Sequence, residues 1–379
     1  MHFLVTTSIN IPRLLTEYIR DFAAHGHEYC IVIAGDKKSP AAAAQFCRSL
    51  PNTVYLDVGE QAALFNELPL HRYVPYNSID RRNFAYLYCA KQGITPSDTV
   101  ITIDDDNFLS ERDFLGNHSH RTRTGLTVTA DRPTWFNPLP HAYLESLYPR
   151  GFSMFERAIH TTPVTIRSQT DTVPLAINQG LWNESPDLDA ISRFIEGDAA
   201  EHTVRDNASI ILGANVLCPF DTQNTAYLNG FWPTAFLCPF IGRFDDIFSS
   251  FITKRIADHL GYGLAFGSPV AVQHRNPHST YRDFLLELHG MSLTDTFVNL
   301  LYTIDITART PIDAFAELAD TLAKRLTSYQ TLHHGTTAGQ TKLWSLNQIP
   351  IGMKLWLDSL EQLNVNTSAP APAIAHAAP

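Results

Sequence analysis

Apolar and polar positions along the first hundred residues alternate between two patterns. Short unbroken apolar runs, Phe3–Thr6, Tyr29–Ala34, Val54–Leu56 and Thr99–Ile103, read as strands buried on both faces. Between them lie longer segments with helix start and stop signals. Pro12 suits the first turn of a helix through about Ala24, and Gly26 suits its C-terminal cap. Ser39-Pro40 reads as N-cap and first helical position for Pro40–Leu50, and Ser78 can cap a helix to Gln92, where Gly93 and Pro96 stop it. This β-α-β-α-β-α-β order predicts an α/β fold with a doubly wound, mostly parallel sheet.

The pattern then loosens. Residues 107–240 are richer in Pro, Asn and Thr and predict short strands and loops. A helical pattern returns from Asp245 to Leu260, a strand follows at Ala265–Val272, and Tyr281 to about Leu363 reads mainly as helices interrupted by the polar stretch Thr331–Gln340. The expected division is a nucleotide-sugar domain over 1–280, a helical C-terminal region over 281–363, and a disordered Ala/Pro-rich tail over 364–379.

Composition removes several function classes. The chain has 379 residues and a net charge of −10, so a broad electrostatic grip on nucleic acid or on an acidic membrane is not expected. Its five cysteines, Cys30, Cys47, Cys89, Cys218 and Cys238, form no C-x-x-C pair and are odd in number, which predicts free buried thiols in a reducing compartment. The N-terminus lacks a basic region and enters a strand at once, so no signal peptide is expected. The longest apolar stretch, Ala226 to Gly242, is broken by Asn229, Gly230, Pro233 and Pro239 and is a poor membrane span. A cytoplasmic location follows as the expectation. The aromatic run Tyr227–Phe240 reads as core first, and otherwise as a subunit interface of a homo-oligomer or the lining of an acceptor pocket.

Candidate chemistry gathers where open parallel sheets bind ligands, at the carboxyl ends of strands. Asp104, Asp105 and Asp106 follow the strand Val100-Ile101-Thr102-Ile103 directly. Alternate side chains of an extended chain point the same way, so Asp104 and Asp106 can approach one ion. Mg²⁺ or Mn²⁺ would suit these oxygen ligands and share its shell with a substrate diphosphate. Arg81 and Arg82, with Asn77, open the helix before that strand and can hold phosphate or pair with the acids. Asp36 sits after the second strand, where a base or ribose is often recognised. Arg150 and Arg157, seven apart, could clamp a diphosphate. Asp245 and Asp246 precede a helix and read either as partners of its dipole or as a base or binder of acceptor hydroxyls. His274 follows a strand and could complete a metal shell, or be structural.

Asp104–Asp106, Arg150-Gly151-Phe152-Ser153 with Arg157, Gly180-Leu181-Trp182, Pro186-Asp187-Leu188-Asp189-Ala190, Gly242-Arg243-Phe244-Asp245-Asp246-Ile247 and Asp258-His259-Leu260-Gly261 occur in this order. Together they resemble the plant reversibly glycosylated polypeptides, the UDP-arabinopyranose mutase family. Pro219-Phe220-Asp221-Thr222-Gln223-Asn224-Thr225 is also similar to STELLO-type glycosyltransferase domains. The resemblance spans roughly residues 75–275. It implies a GT-A-like fold, a UDP-sugar substrate contacted by residues such as Asp105 and Trp182, and a divalent metal at Asp104–Asp106. It also implies an arginine that is reversibly glycosylated and a second one seven residues later, positions that Arg150 and Arg157 occupy.

The leading expectation is a metal-dependent glycosyltransferase that uses a UDP-sugar donor and an acceptor the sequence does not identify. The alternative is a UDP-sugar mutase that interconverts pyranose and furanose forms, self-glycosylating at Arg150. A sugar nucleotidyltransferase is a more distant reading, since no Gly-rich phosphate loop follows the first strand. A non-enzymatic assembly subunit with a degenerate site is the reading from another class.

Overall fold

The computed structural model describes residues 1–145, 147–157, 165–197, 200–206, 208–332 and 337–365, with the backbone alone given for 165–171, 329–332 and 337–343. The strands are β1 (His2–Thr7), β2 (Tyr29–Ala34), β3 (Thr53–Leu56), β4 (Thr99–Ile103), β5 (Asn107–Leu109), β6 (Thr122–Thr129), β7 (Thr134–Trp135), β8 (Thr165–Glu184), β9 (Ile210–Leu212), β10 (Val216–Leu217), β11 (Asn224–Tyr227) and β12 (Gly263–Gln273). The helices are α1 (Leu15–Ala24), α2 (Ala41–Arg48), α3 (Val58–Phe65), α4 (Arg82–Lys91), α5 (Phe114–His118), α6 (Leu139–Ala142), α7 (Ala190–Glu196), α8 (Asp245–Leu260), α9 (Thr280–Tyr302), α10 (Pro311–Leu332) and α11 (Thr337–Gln362).

The large sheet runs β3-β2-β1-β4-β11-β8-β6-β9-β12-β5. Its first four strands are parallel, as the sequence pattern predicts. Beyond β4 the sheet is mixed rather than mostly parallel. β11 enters antiparallel between β4 and β8, and β8 pairs antiparallel with β6 through its first half and parallel with β12 through its second. Since β6 pairs with β9 and β9 with β12, these pairings close on themselves. The short strands and loops expected over 107–240 therefore include one long strand of 20 residues. Pro174, Asn178 and Gly180 interrupt its apolar pattern, but neighbours on both edges supply its hydrogen bonds.

Alternation along the parallel strands places a core on each face of the sheet. Phe3, Val5, Val32 and Ala34 pack with α4, α8 and the helical C-terminal region. Leu4, Ile31 and Ile33 pack with α1, α2 and α5. The C-terminal helices share the first of these cores: Phe297 stacks on Phe248 of α8 at 4.6 Å, and the Trp356 indole donates to the Pro233 carbonyl at 2.9 Å. Of the aromatic run Tyr227–Phe240, Tyr227, Phe231, Trp232 and Phe236 lie in that core, Leu228 lies in the other, and Asn229, Gly230 and Phe240 are partly exposed. All five cysteines are free, four of them buried. Among the described residues no helix is long and apolar enough to cross a membrane. The tail expected to be disordered lies, from residue 366, outside the described residues.

Two register relations set the site. Asn224 pairs with Ile103, which brings Thr222 and Gln223 beside Asp104. Gln273 pairs with Asn107, which brings His274–Asn276 beside Asp106.

Candidate active site

The acidic run emerges at the end of β4 as a bound turn, not a free one. The Asp105 carboxylate accepts from Ser8 Oγ at 2.7 Å, from the backbone N–H groups of Ile9 and Asn10 at 3.1 and 3.3 Å, and from the side-chain amide of Asn276 at 3.3 Å. Asp106 accepts from the side chain of Asn107 at 3.2 Å and from Asn276 at 3.4 Å. Asp104 is the member that meets a cation, the buried guanidinium of Arg82. Burial pushes the Asp106 carboxyl up to about 7, and the charges of Asp104 and Asp105 push the same way. Burial raises Asp104 too, against the pull of Arg82.

Arg81 and Arg82 are adjacent in sequence and part company in space. Ser78 starts a short 3₁₀ turn, its hydroxyl accepting the Asp80 N–H at 3.2 Å, and α4 begins at Arg82. Arg82 reaches forward to the Thr222 carbonyl at 2.7 Å and hydroxyl at 2.9 Å, and to Asp104. Arg81 turns away to Gln61 Oε1, at 3.0 Å from its Nε, and lies over the rings of Phe84 and Tyr76. It touches neither the acidic run nor the Arg150 pocket in any resolved hydrogen bond. The Asp36 carboxylate accepts the Ser78 N–H at 3.1 Å, across from the left-handed turn at Asn77.

Arg150 is the centre of the second part. Its Nε donates to Asp187 at 2.9 Å, its two terminal nitrogens to the two oxygens of Asp246 at 3.0 and 3.1 Å, and one of them also to the Arg243 carbonyl. Gly151, at φ +89°, turns the chain straight after it; a β-carbon there would sit 2.3 Å from Ile247. Arg157 donates to Asp189 and, at 3.2 Å, to Ser192 at the start of α7. Two arginines seven apart thus grip Asp187 and Asp189, two apart in the Pro186–Ala190 segment. An antiparallel bridge between Pro149 and Leu188 fixes the register.

A continuous chain of contacts joins the two parts. Asp104 meets Arg82, Arg82 meets Thr222, and the Thr222 N–H donates to Asp246 at 3.2 Å, which meets Arg150. Trp182 makes a second link, since its indole N–H donates to Asn107 at 3.2 Å and its ring lines a cavity of about 20 Å³ with Arg150, Gln179, Asp187 and Asp221. That volume admits about one water molecule.

Electrostatics separate these buried acids. Burial pushes Asp246 up, but Arg150 and the Thr222 N–H outweigh it and hold the carboxyl below its usual range. Burial holds Asp245 and Asp221 well above that range, since neither has an ion-pair partner, and the charges of Asp80 and Asp187 add to it. Asp245 and Asp246 thus start the same helix in different states. His274 approaches the acidic run only through its backbone N–H, 3.1 Å from the Asp106 carbonyl; its ring Nδ1 lies 2.7 Å from Glu184.

Asp187, Asp221, Thr222 and Asn276 are site residues that spacing and residue type did not mark. The Pro186–Ala190 and Pro219–Thr225 motifs were the available signal for three of them; Asn276 follows His274-Arg275 without a motif of its own.

The profile of the family described as "Reversibly glycosylated polypeptide" matches residues 8–347. Relatives include a protein of Pisum sativum named probable UDP-arabinopyranose mutase 1, 24% identical over 301 residues that cover 76% of this chain and 72% of the relative. UDP-arabinopyranose mutase 1 of Arabidopsis thaliana is 22% identical over 76% of this chain and 74% of its own. UDP-arabinopyranose mutase 3 of the same plant is 22% identical over 341 residues, 84% of each chain. With a profile match running from the loop after β1 into α11, the chain belongs to the reversibly glycosylated polypeptide family.

Proposed function

We propose that this enzyme is a sugar-nucleotide mutase that interconverts pyranose and furanose forms of a UDP-sugar on a GT-A-like nucleotide-sugar fold. The relatives are named mutases, which favours this reading over the glycosyltransferase that the sequence put first. The observation that carries it is the seating of Arg150. A diphosphate clamp needs spare positive charge, and this guanidinium is already matched by Asp187 and Asp246. What the arrangement suits is contact with an uncharged group, the sugar, with two carboxylates in reach of any proton the guanidinium releases. Asp187 and Asp246 fix the orientation of the Arg150 guanidinium, and Arg157 anchors the segment that carries Asp187.

The diphosphate is assigned to the acidic run. Three carboxylates stand there against the paired guanidinium of Arg82 and the charge of Arg275, a donor set that fits Mg²⁺ or Mn²⁺ held by Asp104 and Asp106. Among the described residues no group of three or more His, Cys, Asp or Glu could hold an ion alone, so the rest of its shell is expected from the substrate's phosphate oxygens. When bound, the ion neutralises charge on the diphosphate.

The test is proton NMR of UDP-arabinopyranose incubated with the protein and Mg²⁺, with no acceptor. New furanose anomeric signals are expected. Slow UDP release without any furanose would instead return the enzyme to the transferase class.

A further inference from the structure

One exposed aromatic is linked to the acidic run through hydrogen-bonded loops and has no part in the chemistry above. Tyr76 is 39% exposed, yet it is held in a built setting. The Arg81 guanidinium lies 4.5 Å from the ring centre and is itself buried and tied to Gln61. The exposed Lys37 places its ammonium 3.7 Å from the same centre. Asp36 joins the two loops that carry these residues by accepting the Ser78 N–H at 3.1 Å and the Lys37 N–H at 2.6 Å.

This platform is joined to the acidic run. Ser39 Oγ accepts the Asp36 N–H at 2.8 Å and donates to the Ser8 carbonyl at 2.6 Å, and Ser8 Oγ donates to Asp105 at 2.7 Å. The loops after β1, β2 and β4 therefore form one surface at the carboxyl edge of the parallel strands, where such sheets bind nucleotides. An aromatic face linked to a diphosphate site offers a planar base a large stacking area.

Resting on the UDP-sugar reading above, we propose that Tyr76 is the stacking platform for the nucleotide base, with Arg81 fixing the tyrosine ring from within the protein. Arg81 then serves the nucleotide indirectly, as a positioning residue. The exposed Lys37 side chain is the element that gives way as the base arrives.

The test compares UDP and inorganic pyrophosphate, each with Mg²⁺, by calorimetry on the parent protein, Tyr76→Phe and Tyr76→Ala. The exposed position makes all three expected to fold. Loss of the stacking face should weaken UDP about tenfold in Tyr76→Ala, leave pyrophosphate unchanged, and spare both ligands in Tyr76→Phe. In parallel, the uracil H5 and H6 signals of bound UDP should shift upfield with the parent and Tyr76→Phe, and not with Tyr76→Ala. UDP bound by the parent with the same affinity and the same uracil shifts in Tyr76→Ala overturns this inference and leaves the UDP-sugar reading standing. Failure of the parent to bind UDP overturns both.

Discussion

The carboxylates at the end of β4 and those around Arg150 belong to one chain of contacts, yet their surroundings differ in kind. Asp105 and Asp106 are held by hydroxyl, amide and backbone donors, with the charge of Arg275 acting on Asp106, and Asp104 pairs with Arg82. Such donors fix position without cancelling charge, so the turn keeps negative charge at a partly exposed edge. Around Arg150 the positive charge is committed internally. Asp187 and Asp246 share the one guanidinium, while Asp221 and Asp245, without an ion-pair partner among the described residues, are pushed toward the neutral acid by burial. The first region keeps uncompensated negative charge, and the second has no positive charge left for a diphosphate. Under the proposed function the diphosphate and its metal therefore belong to the first region and the sugar to the second.

Removing the internal cation should have the largest effect. Arg150→Ala leaves Asp187 and Asp246 buried without their partner, a loss expected to cost about 3–5 kcal/mol of stability. Arg150→Lys keeps one charge but not the fork that meets both oxygens of Asp246, so its loss should be smaller. Urea unfolding of the three proteins measures both. A cost of Arg150→Ala below roughly 1 kcal/mol, the range of exposed pairs, would mean that these acids do not depend on the guanidinium as buried partners.

Removing an acid from the first region should instead spare the fold and abolish a linkage. Asp106→Asn leaves the Arg82–Asp104 pair in place. UDP at 100 times its Kd should stabilise the parent by about 2.7 kcal/mol in the presence of Mn²⁺. In Asp106→Asn most of that gain should vanish, while the unliganded melting temperature stays close to that of the parent. A variant that gains as much from UDP as the parent does would remove the diphosphate and metal from this turn.

The contrast between the regions was only half legible in the sequence. The acidic run could be placed because β1 to β4 are apolar and β-branched runs punctuated by Pro, Gly and Ser, and Tyr29–Ala34 and Thr99–Ile103 match their strands residue for residue. Boundaries slipped where a signal was ambiguous: Pro40 is the N-cap of α2 rather than its first residue, and α1 starts three residues after Pro12. Helix α3 went unread although Asp57 and Glu60 form a capping box ahead of it. The Arg150 region was harder for a physical reason. Its partners lie 37 and 96 residues away and meet only because β8 and β11 enter the sheet where they do. Nor can sequence tell Arg81 from Arg82, which a 3₁₀-to-α junction sends to opposite tasks.

Asp80 gives the finest probe of how far the second region's suppression of carboxylate charge by burial extends. It sits in the turn before α4, fully buried, with one oxygen accepting from Ser78 Oγ at 2.6 Å and the other without a hydrogen-bond partner. Burial pushes its carboxyl up to about 7, the Ser78 hydroxyl opposes this, and the charge of Asp246 adds to it. In the unfolded chain the same group titrates near 3.9. Between these values the folded protein keeps a proton that the unfolded chain has lost, so stability falls as pH rises through about 4 to 7 and levels off above. One proton's difference is worth at most about 1.4 kcal/mol per pH unit, and Asp245 and Asp221 contribute slopes of the same sign that extend to higher pH. Asp80→Asn keeps the shape and cannot ionise. Its melting temperature should therefore decline less steeply than the parent's between pH 5 and 7, with the two curves running parallel above. Equal slopes across pH 5 to 7 would place the Asp80 charge in solvent contact and confine the buried charge network to Arg150 and its two partners.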